Sequence, residues 1–284
     1  MSSAPGFSFR VHPLFWLVIG ASVLTGAFVE TVLLLSLVVM HELGHVWTGR
    51  AYGWRFRALT LFPFGGVAET DDEVGQYSPR EEIVVALAGP AVNGAMAGVA
   101  WVCAAGELWP EAWARQFAAA NLWLAGFNLL PIWPLDGGRV VHAVASLACP
   151  YRLALTITFG WSASVALLVL VWAWTAPQPR LHLLLLCLWL YREAASGYRE
   201  RRLRFFRFLF ARWRRGGDGP LRVVRADSSW TVLEALRHIK RGRHHRFELR
   251  AGGRRTGAVT ERRLLDALFR DKAPARRLFE LVKG

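Results

Sequence analysis

Ile83–Ala105 runs for 23 residues without one charged side chain. A helix needs roughly 20 apolar residues to cross a bilayer's hydrocarbon core, so this run is long enough to span it. Nothing constrains the fold more, because in lipid every backbone N–H and C=O must find its partner inside the segment, and a run of this kind is therefore helical. Phe117–Leu135 and Leu153–Pro179 qualify by the same measure. Pro13–Val29 and Thr31–Trp47 are shorter, meet at Glu30 and read as a helical hairpin. Ala176–Tyr198 has an apolar core, Leu181–Tyr191, between Arg180 and Arg192. The count is about six spans, or five if the last run stays out of the bilayer.

The charge is segregated. Residues 199–284 hold 25 of the 35 Lys and Arg against nine acids, a net of +16, which leaves −2 for residues 1–198. An apolar front and a basic tail suggest a membrane domain followed by a cytosolic one. Basic clusters also mark nucleic-acid binders, but this one follows the last span directly, where the positive-inside bias and anionic headgroups account for it; no nucleic-acid partner is expected. Arg10, Arg50, Arg55, Arg57, Arg80, Arg139, Arg152 and the tail from Arg199 all fall on one side of a six-span arrangement. Both termini are therefore expected in the cytosol. Cys103, Cys149 and Cys187 lie in or beside apolar runs with no CxxC pair and read as small buried hydrophobes. The first run has no small-x-small cleavage site and reads as a retained helix.

Two segments within the membrane region are not simple helix. Phe56–Leu61 alternates like a strand and Pro63-Phe64-Gly65-Gly66 follows, which predicts a β-hairpin at membrane depth. Such backbone is tolerated there only when buried in protein or lining a wet cavity. Pro131, Pro134, Gly137 and Gly138 break the fourth span near its cytosolic end. After 199–219, a basic helix or linker closed by a glycine-rich boundary, Leu221–Gly284 reads as strand, helix, strand pair and helix. The expected architecture is thus an all-α polytopic membrane domain over 1–198, with a small hairpin, and a cytosolic α/β domain over 220–284 with a modest core of its own.

The chemistry sits at the end of the apolar run Thr31–Met40, in His41-Glu42-Leu43-Gly44-His45. On a helix, residues i and i+4 share a face, so both imidazoles can bind one Zn2+ ion with Glu42 beside them as general base. A catalytic zinc usually takes a third protein ligand plus water. Asp136 fits best, in a helix break on the same side and at similar depth. Glu69, Asp71, Asp72, Glu81, Glu82, His142 and His12 are the other candidates. Placing two histidines and a glutamate in a membrane helix is unfavourable, which favours a functional reading. The site is expected to open to the cytosol. Asn93 and Asn128 are either oxyanion donors or helix-contact residues.

His41-Glu42-xx-His45, Phe64-Gly65-Gly66, Gly89-Pro90-xx-Asn93 and Asn128-xx-Pro131-xx-Pro134-x-Asp136-Gly137 together resemble the site-2 protease family of intramembrane zinc metalloproteases. The resemblance implies His41, His45 and Asp136 as zinc ligands and Glu42 as the base. It also implies a membrane-associated protein substrate, here a sporulation sigma-factor precursor, in a multi-pass bacterial membrane protein held in check by inhibitory membrane proteins. The tail is similar to a cystathionine-β-synthase (CBS) domain, which implies ATP binding near Asp227 and Thr260 and self-association, at least as a dimer. Arg263 stands where that pattern often has an acid. The rival from another class is a membrane metal transporter or sensor using the same His/His/Asp site; Glu42 separates the two, because a transit site has no need of a base beside its ligands.

Overall fold

The computed structural model describes residues 8–62, 65–70, 77–175, 181–217, 219–252 and 254–282. The chain divides into two compact units, with residues 81–131 and 135–140 in the first, after the N-terminal segment, and residues 132–134 and all from 141 onward in the second.

In the first unit, helix α1 (Pro13–Leu24) turns through Thr25–Ala27 into α2 (Phe28–Ala51), the expected helical hairpin. α2 stops at Gly53, whose φ of 79° is in the left-handed region that favours glycine and lets the Trp54 N–H donate back to the Gly49 carbonyl at 2.9 Å. The chain then forms β2 (Phe56–Phe62) and β3 (Gly65–Thr70), antiparallel as predicted. The sequence did not signal β1 (Ser8–Val11), which pairs parallel with β2 in register Ser8↔Ala58 to Val11↔Leu61. The sheet order is β1-β2-β3, so β2 is the inner strand.

α3 (Pro79–Ala105) opens with a proline, whose ring suits the first helical position, and Glu81 and Glu82 complement the helix dipole. Small residues then allow close packing on α4 (Glu111–Asn128) through Ala97, Ala100, Ala114 and Ala118. α4 ends where the Pro/Gly stretch begins, and α5 (Asp136–Ala148) restarts the helix at the aspartate.

The second unit contains the rest of α5, α6 (Tyr151–Thr175), α7 (Leu181–Arg215) and the C-terminal α/β module. The basic stretch 199–215 is helical, continuing α7 without interruption. α7 runs antiparallel along α6: Gly197 lies against the Phe159 ring, and further down the pair Tyr151 and Phe208 pack with centroids 4.2 Å apart. In the module, β4 (Leu221–Asp227) crosses over through α8 (Val232–Leu236) to pair parallel with β5 (His244–Ala251). β5 turns back into β6 (Arg254–Thr260), and α9 (Glu261–Phe269) and α10 (Leu278–Val282) follow. A separate core was expected here. Instead Phe247, Leu249, Leu236 and Leu264 belong to the same buried cluster as Tyr151, Phe159, Phe205 and Phe208 of α6 and α7. The physical reason is size: a module of about 65 residues buries little apolar surface alone, and the aromatic base of the helix pair supplies the remainder.

Among the described residues three helices, α2, α3 and α6, are long and apolar enough to cross a membrane. Large apolar side chains such as Trp123, Val102, Trp172 and Leu168 face outward. Patches of this kind mark a lipid or protein interface.

Candidate metal centre

His41 and His45 lie on successive turns of α2, so their rings leave the same face, with the Nε2 atoms 3.2 Å apart. Asp136, the first residue of α5, places Oδ2 3.0 Å from His41 Nε2 and 3.2 Å from His45 Nε2. All three residues are buried. Among the described residues they are the one group of three His, Cys, Asp or Glu whose donor atoms converge.

Glycines make the convergence possible. A Cβ on Gly89 of α3 would stand 2.7 Å from His41 Nε2 and closer still to His45 Nε2. A Cβ on Gly137 would collide with the carbonyl oxygens of Leu129 and Leu130, so only glycine lets α5 begin directly beside the end of α4. The sequence signalled the helix break; the structure shows that it delivers the Asp136 carboxylate to the imidazoles.

Each ring is oriented from behind. His41 Nδ1 donates to Asn93 Oδ1 at 2.5 Å, and His45 Nδ1 donates to the Val85 carbonyl at 2.7 Å. The Asn93 amide donates to Asn121 Oδ1 at 2.9 Å, and Asn121 donates to the Phe117 carbonyl at 3.0 Å. With each ring proton held at Nδ1, both Nε2 atoms present lone pairs. Two bare imidazole nitrogens and a carboxylate oxygen facing one another repel unless a cation sits among them. The donor set fits zinc. A tetrahedral site with metal–ligand bonds of about 2.0–2.2 Å has ligand–ligand edges of roughly 3.3–3.6 Å, a few tenths of an ångström longer than the 3.0–3.2 Å sides seen here.

Glu42 is partly buried, and its electrostatic neighbours are His45, His41, Arg139 and Asp136. Arg139, one turn along α5, brings Nη1 to 3.8 Å from Asp136 Oδ1. Asn128 sits at the end of α4 and donates one amide hydrogen to the Leu124 carbonyl at 3.0 Å. Asn93 has a task besides the oxyanion role considered for it. Its oxygen accepts from His41 and its nitrogen donates to Asn121, so both ends of the amide are engaged. Gly65 and Gly66 open β3, opposite Phe62 and Leu61, and Phe64 lies outside the described residues.

Two of the other ligand candidates make contacts of their own elsewhere. Glu81 accepts from Trp54 Nε1 at 3.4 Å, and His142 bonds Thr158 at 3.2 Å within the second unit. Asp71 and Asp72 are outside the described residues. Asn121 and Gly89 were not singled out as site residues. For Asn121 the signal was an amide, one of two with Asn128 in the apolar run Phe117–Leu135, where a polar side chain needs a partner; for Gly89 it was a place in the Gly89-Pro90-xx-Asn93 motif. In the module, the Asp227 carboxylate accepts from the Ser229 N–H at 2.8 Å and hydroxyl at 2.6 Å, and Thr260 caps α9. Both expected nucleotide residues are thus engaged in local turns.

The model of peptidase family M50 matches residues 29–108. The chain is 29% identical over 278 residues to stage IV sporulation protein FB of Bacillus subtilis, covering 96% of this chain and 95% of that one. A zinc metalloprotease of Methanocaldococcus jannaschii is 32% identical over 152 residues, half of this chain and 43% of its own length. Among solved structures, the site-2 protease from M. jannaschii aligns with a TM-score of 0.53 at 28% identity, over 70% of this chain and 94% of that one.

Proposed function

This chain belongs to peptidase family M50 and is a site-2 type zinc metalloprotease, and we propose that it cleaves a membrane-associated precursor protein within the bilayer. The observation that carries this reading is the triangle of three lone-pair donors with Glu42 beside it.

His41 Nε2, His45 Nε2 and Asp136 Oδ2 would hold the zinc. When bound, it supplies a Lewis acid that polarises a carbonyl and acidifies water. Glu42 takes the proton of the attacking water and passes it to the leaving amine nitrogen as the C–N bond breaks. Asn128 has an amide hydrogen to offer the oxyanion. Asn93 and Val85 keep both imidazoles in the tautomer that leaves Nε2 bare.

A helical substrate must first be extended, because its peptide bonds are shielded. The hairpin can accept an extended segment by strand addition, and since β1 already pairs with β2, the free edge is that of β3.

The wider reading has α1–α4, α6 and the apolar half of α7 as six spans, with both termini and the site opening on the cytosolic side. His41 then lies about 20 Å along α2 from Phe28, at 1.5 Å per residue, in the cytosolic half. The match to a sporulation protein over nearly the whole chain favours a sporulation sigma-factor precursor as substrate. Co-expression with such precursors tests it. Native protein should convert the precursor to a shorter product, and Glu42→Gln should lower conversion by about 10²–10⁴-fold while zinc content stays near that of the native chain. Glu42→Gln that cleaves normally, or that loses its zinc, removes the base from the mechanism. A native chain that binds zinc but cleaves nothing favours a transporter or sensor.

A further inference from the structure

The second unit carries a group of arginines that enter no ion pair among the described residues. The Tyr151 N–H donates to the Ile239 carbonyl at 2.9 Å, which sets the first turn of α6 beside the residues that follow α8. Arg152 lies in that turn and Arg237 at the C-cap of α8. α6 and α7 are antiparallel, with Phe159 meeting Gly197 and Tyr151 meeting Phe208. Arg201 and Arg202, about 6–8 Å past Gly197 at 1.5 Å per residue, therefore fall between those two levels. Arg152 feels Arg237, Arg202 and Arg201 as like charges, and no carboxylate is among its electrostatic neighbours.

None of the four enters an ion pair among the described residues. Of the nearest acids in sequence, Glu200 pairs with Arg204 at 3.4 Å, and Glu234, which accepts from the Thr231 N–H at 2.8 Å and hydroxyl at 2.9 Å, is a carboxylate that feels the Arg237 charge. Arg201 is held in place, its guanidinium 3.7 Å over the Tyr198 ring. Lys240 adds to the field, with Arg222 and Arg243 as cationic neighbours of its own.

Four guanidiniums that outnumber the carboxylates near them repel one another until an anion joins them, and arginine's planar fork matches phosphate oxygens. The location indicates the source of the phosphate. α6 is one of the three helices able to cross a membrane, and Arg152 is in its first turn, where an apolar span meets the headgroup layer. We propose that Arg152, Arg201, Arg202 and Arg237 form a binding site for the phosphate of an anionic phospholipid headgroup.

The full-length protein, purified in detergent, can be mixed with equal amounts of phosphatidylglycerol and phosphatidylcholine and its retained lipid counted by native mass spectrometry. Phosphatidylglycerol should be retained about tenfold over phosphatidylcholine. Arg152→Gln/Arg237→Gln should reduce that preference to near parity, whereas the charge-matched control Arg254→Gln/Arg270→Gln should keep it. Arg202→Gln, at an exposed helix position, should lower the preference by a few-fold without touching the fold, so the test survives if the double variant does not fold. Equal retention of both lipids by native protein, or loss of preference in the control alone, overturns the proposal. Inorganic phosphate or ATP that displaces phosphatidylglycerol at sub-millimolar concentration also overturns it, by making the ligand a soluble phosphate.

Discussion

His41, His45 and Asp136 in the first unit, and Arg212, His245 and Glu261 in the second, are each a buried group of three built around one carboxylate, yet their hydrogens are arranged oppositely. Glu261 is surrounded by donors: Arg212 through Nε and through Nη2 at 3.1 Å, and His245 through its N–H at 2.9 Å and Nδ1 at 3.0 Å. His245 Nε2 accepts from the Lys240 N–H at 3.2 Å, which fixes its ring proton on Nδ1, facing Glu261. Every side-chain acceptor atom in that cluster meets a hydrogen. In the first cluster both ring protons point away, to Asn93 and Val85, and the lone pairs meet each other. A buried polar cluster that satisfies itself is structural; one that collects acceptors is waiting for a cation.

Exchanging a carboxylate for an amide should separate the two most sharply. Asp136→Asn replaces an anionic oxygen with a neutral one in a site that needs a negative ligand, so zinc content and precursor cleavage should both fall to background while the chain still elutes as folded protein. Glu261→Gln should do the reverse. It leaves the Arg212 guanidinium buried without its counter-ion, a loss on the order of 3–5 kcal/mol, seen as a lowered unfolding midpoint, while the zinc content of the folded fraction is unchanged. If Asp136→Asn keeps its metal, or Glu261→Gln loses it, the division between the clusters fails.

That division was only half legible in the sequence. His41, Glu42 and His45 announce themselves by spacing, and Asp136 by a helix break at matching depth, because both signals are local. The orienting partners are not local: Asn93 and Asn121 are 28 residues apart on different helices, and Val85 contributes only its carbonyl. The hairpin was legible from alternation and its Pro/Gly turn, whereas β1 was not, since four residues near a terminus carry too little pattern to identify a strand. In the module the three strands, α8 and α9 were marked by their own periodicity, whereas the five-residue α10 was not. Its shared core with α6 and α7 was hidden, because the aromatic residues at the base of those helices look lipid-facing until the module covers them. The Arg212–Glu261 pair, 49 residues apart, was likewise beyond local pattern.

Acid should expose the second cluster next. Burial alone would raise the Glu261 carboxyl, but the hydrogen bonds from His245 and Arg212, with the Arg212 charge, outweigh it and bring it down to about 2 from 4.5. A folded-state pKa below the unfolded one stabilises the fold at pH values above the unfolded pKa, and that contribution disappears as pH falls through the folded one. The stabilisation should therefore be complete above about pH 5 and be lost progressively between pH 4.5 and 2. The shift corresponds to about 3 kcal/mol. Unfolding midpoints of native and Glu261→Gln protein, taken from pH 7 to pH 3, should differ by a constant amount down to about pH 5 and converge below it. A gap that is flat across the whole range would mean that the carboxylate contributes by shape rather than by charge.

Asn93 offers the smallest effect and the finest distinction. Its oxygen holds the His41 proton at Nδ1, so Asn93→Ala frees the ring to rotate or to move that proton to Nε2, the atom that must stay bare. Such orienting partners typically account for 10–100-fold in metal affinity, so a chelator competition should release zinc from Asn93→Ala at correspondingly lower chelator concentration, with cleavage falling in step until zinc is added back in excess. Asn93→Asp is the informative companion. A carboxylate at that position still accepts from Nδ1 and makes the ring a stronger donor, so metal retention should return to the native level or above it even though the Asn121 contact is altered. If alanine and aspartate impair retention equally, then the bond from Asn93 to Asn121, packing α3 on α4, is what matters, and the proton on His41 is held by something else.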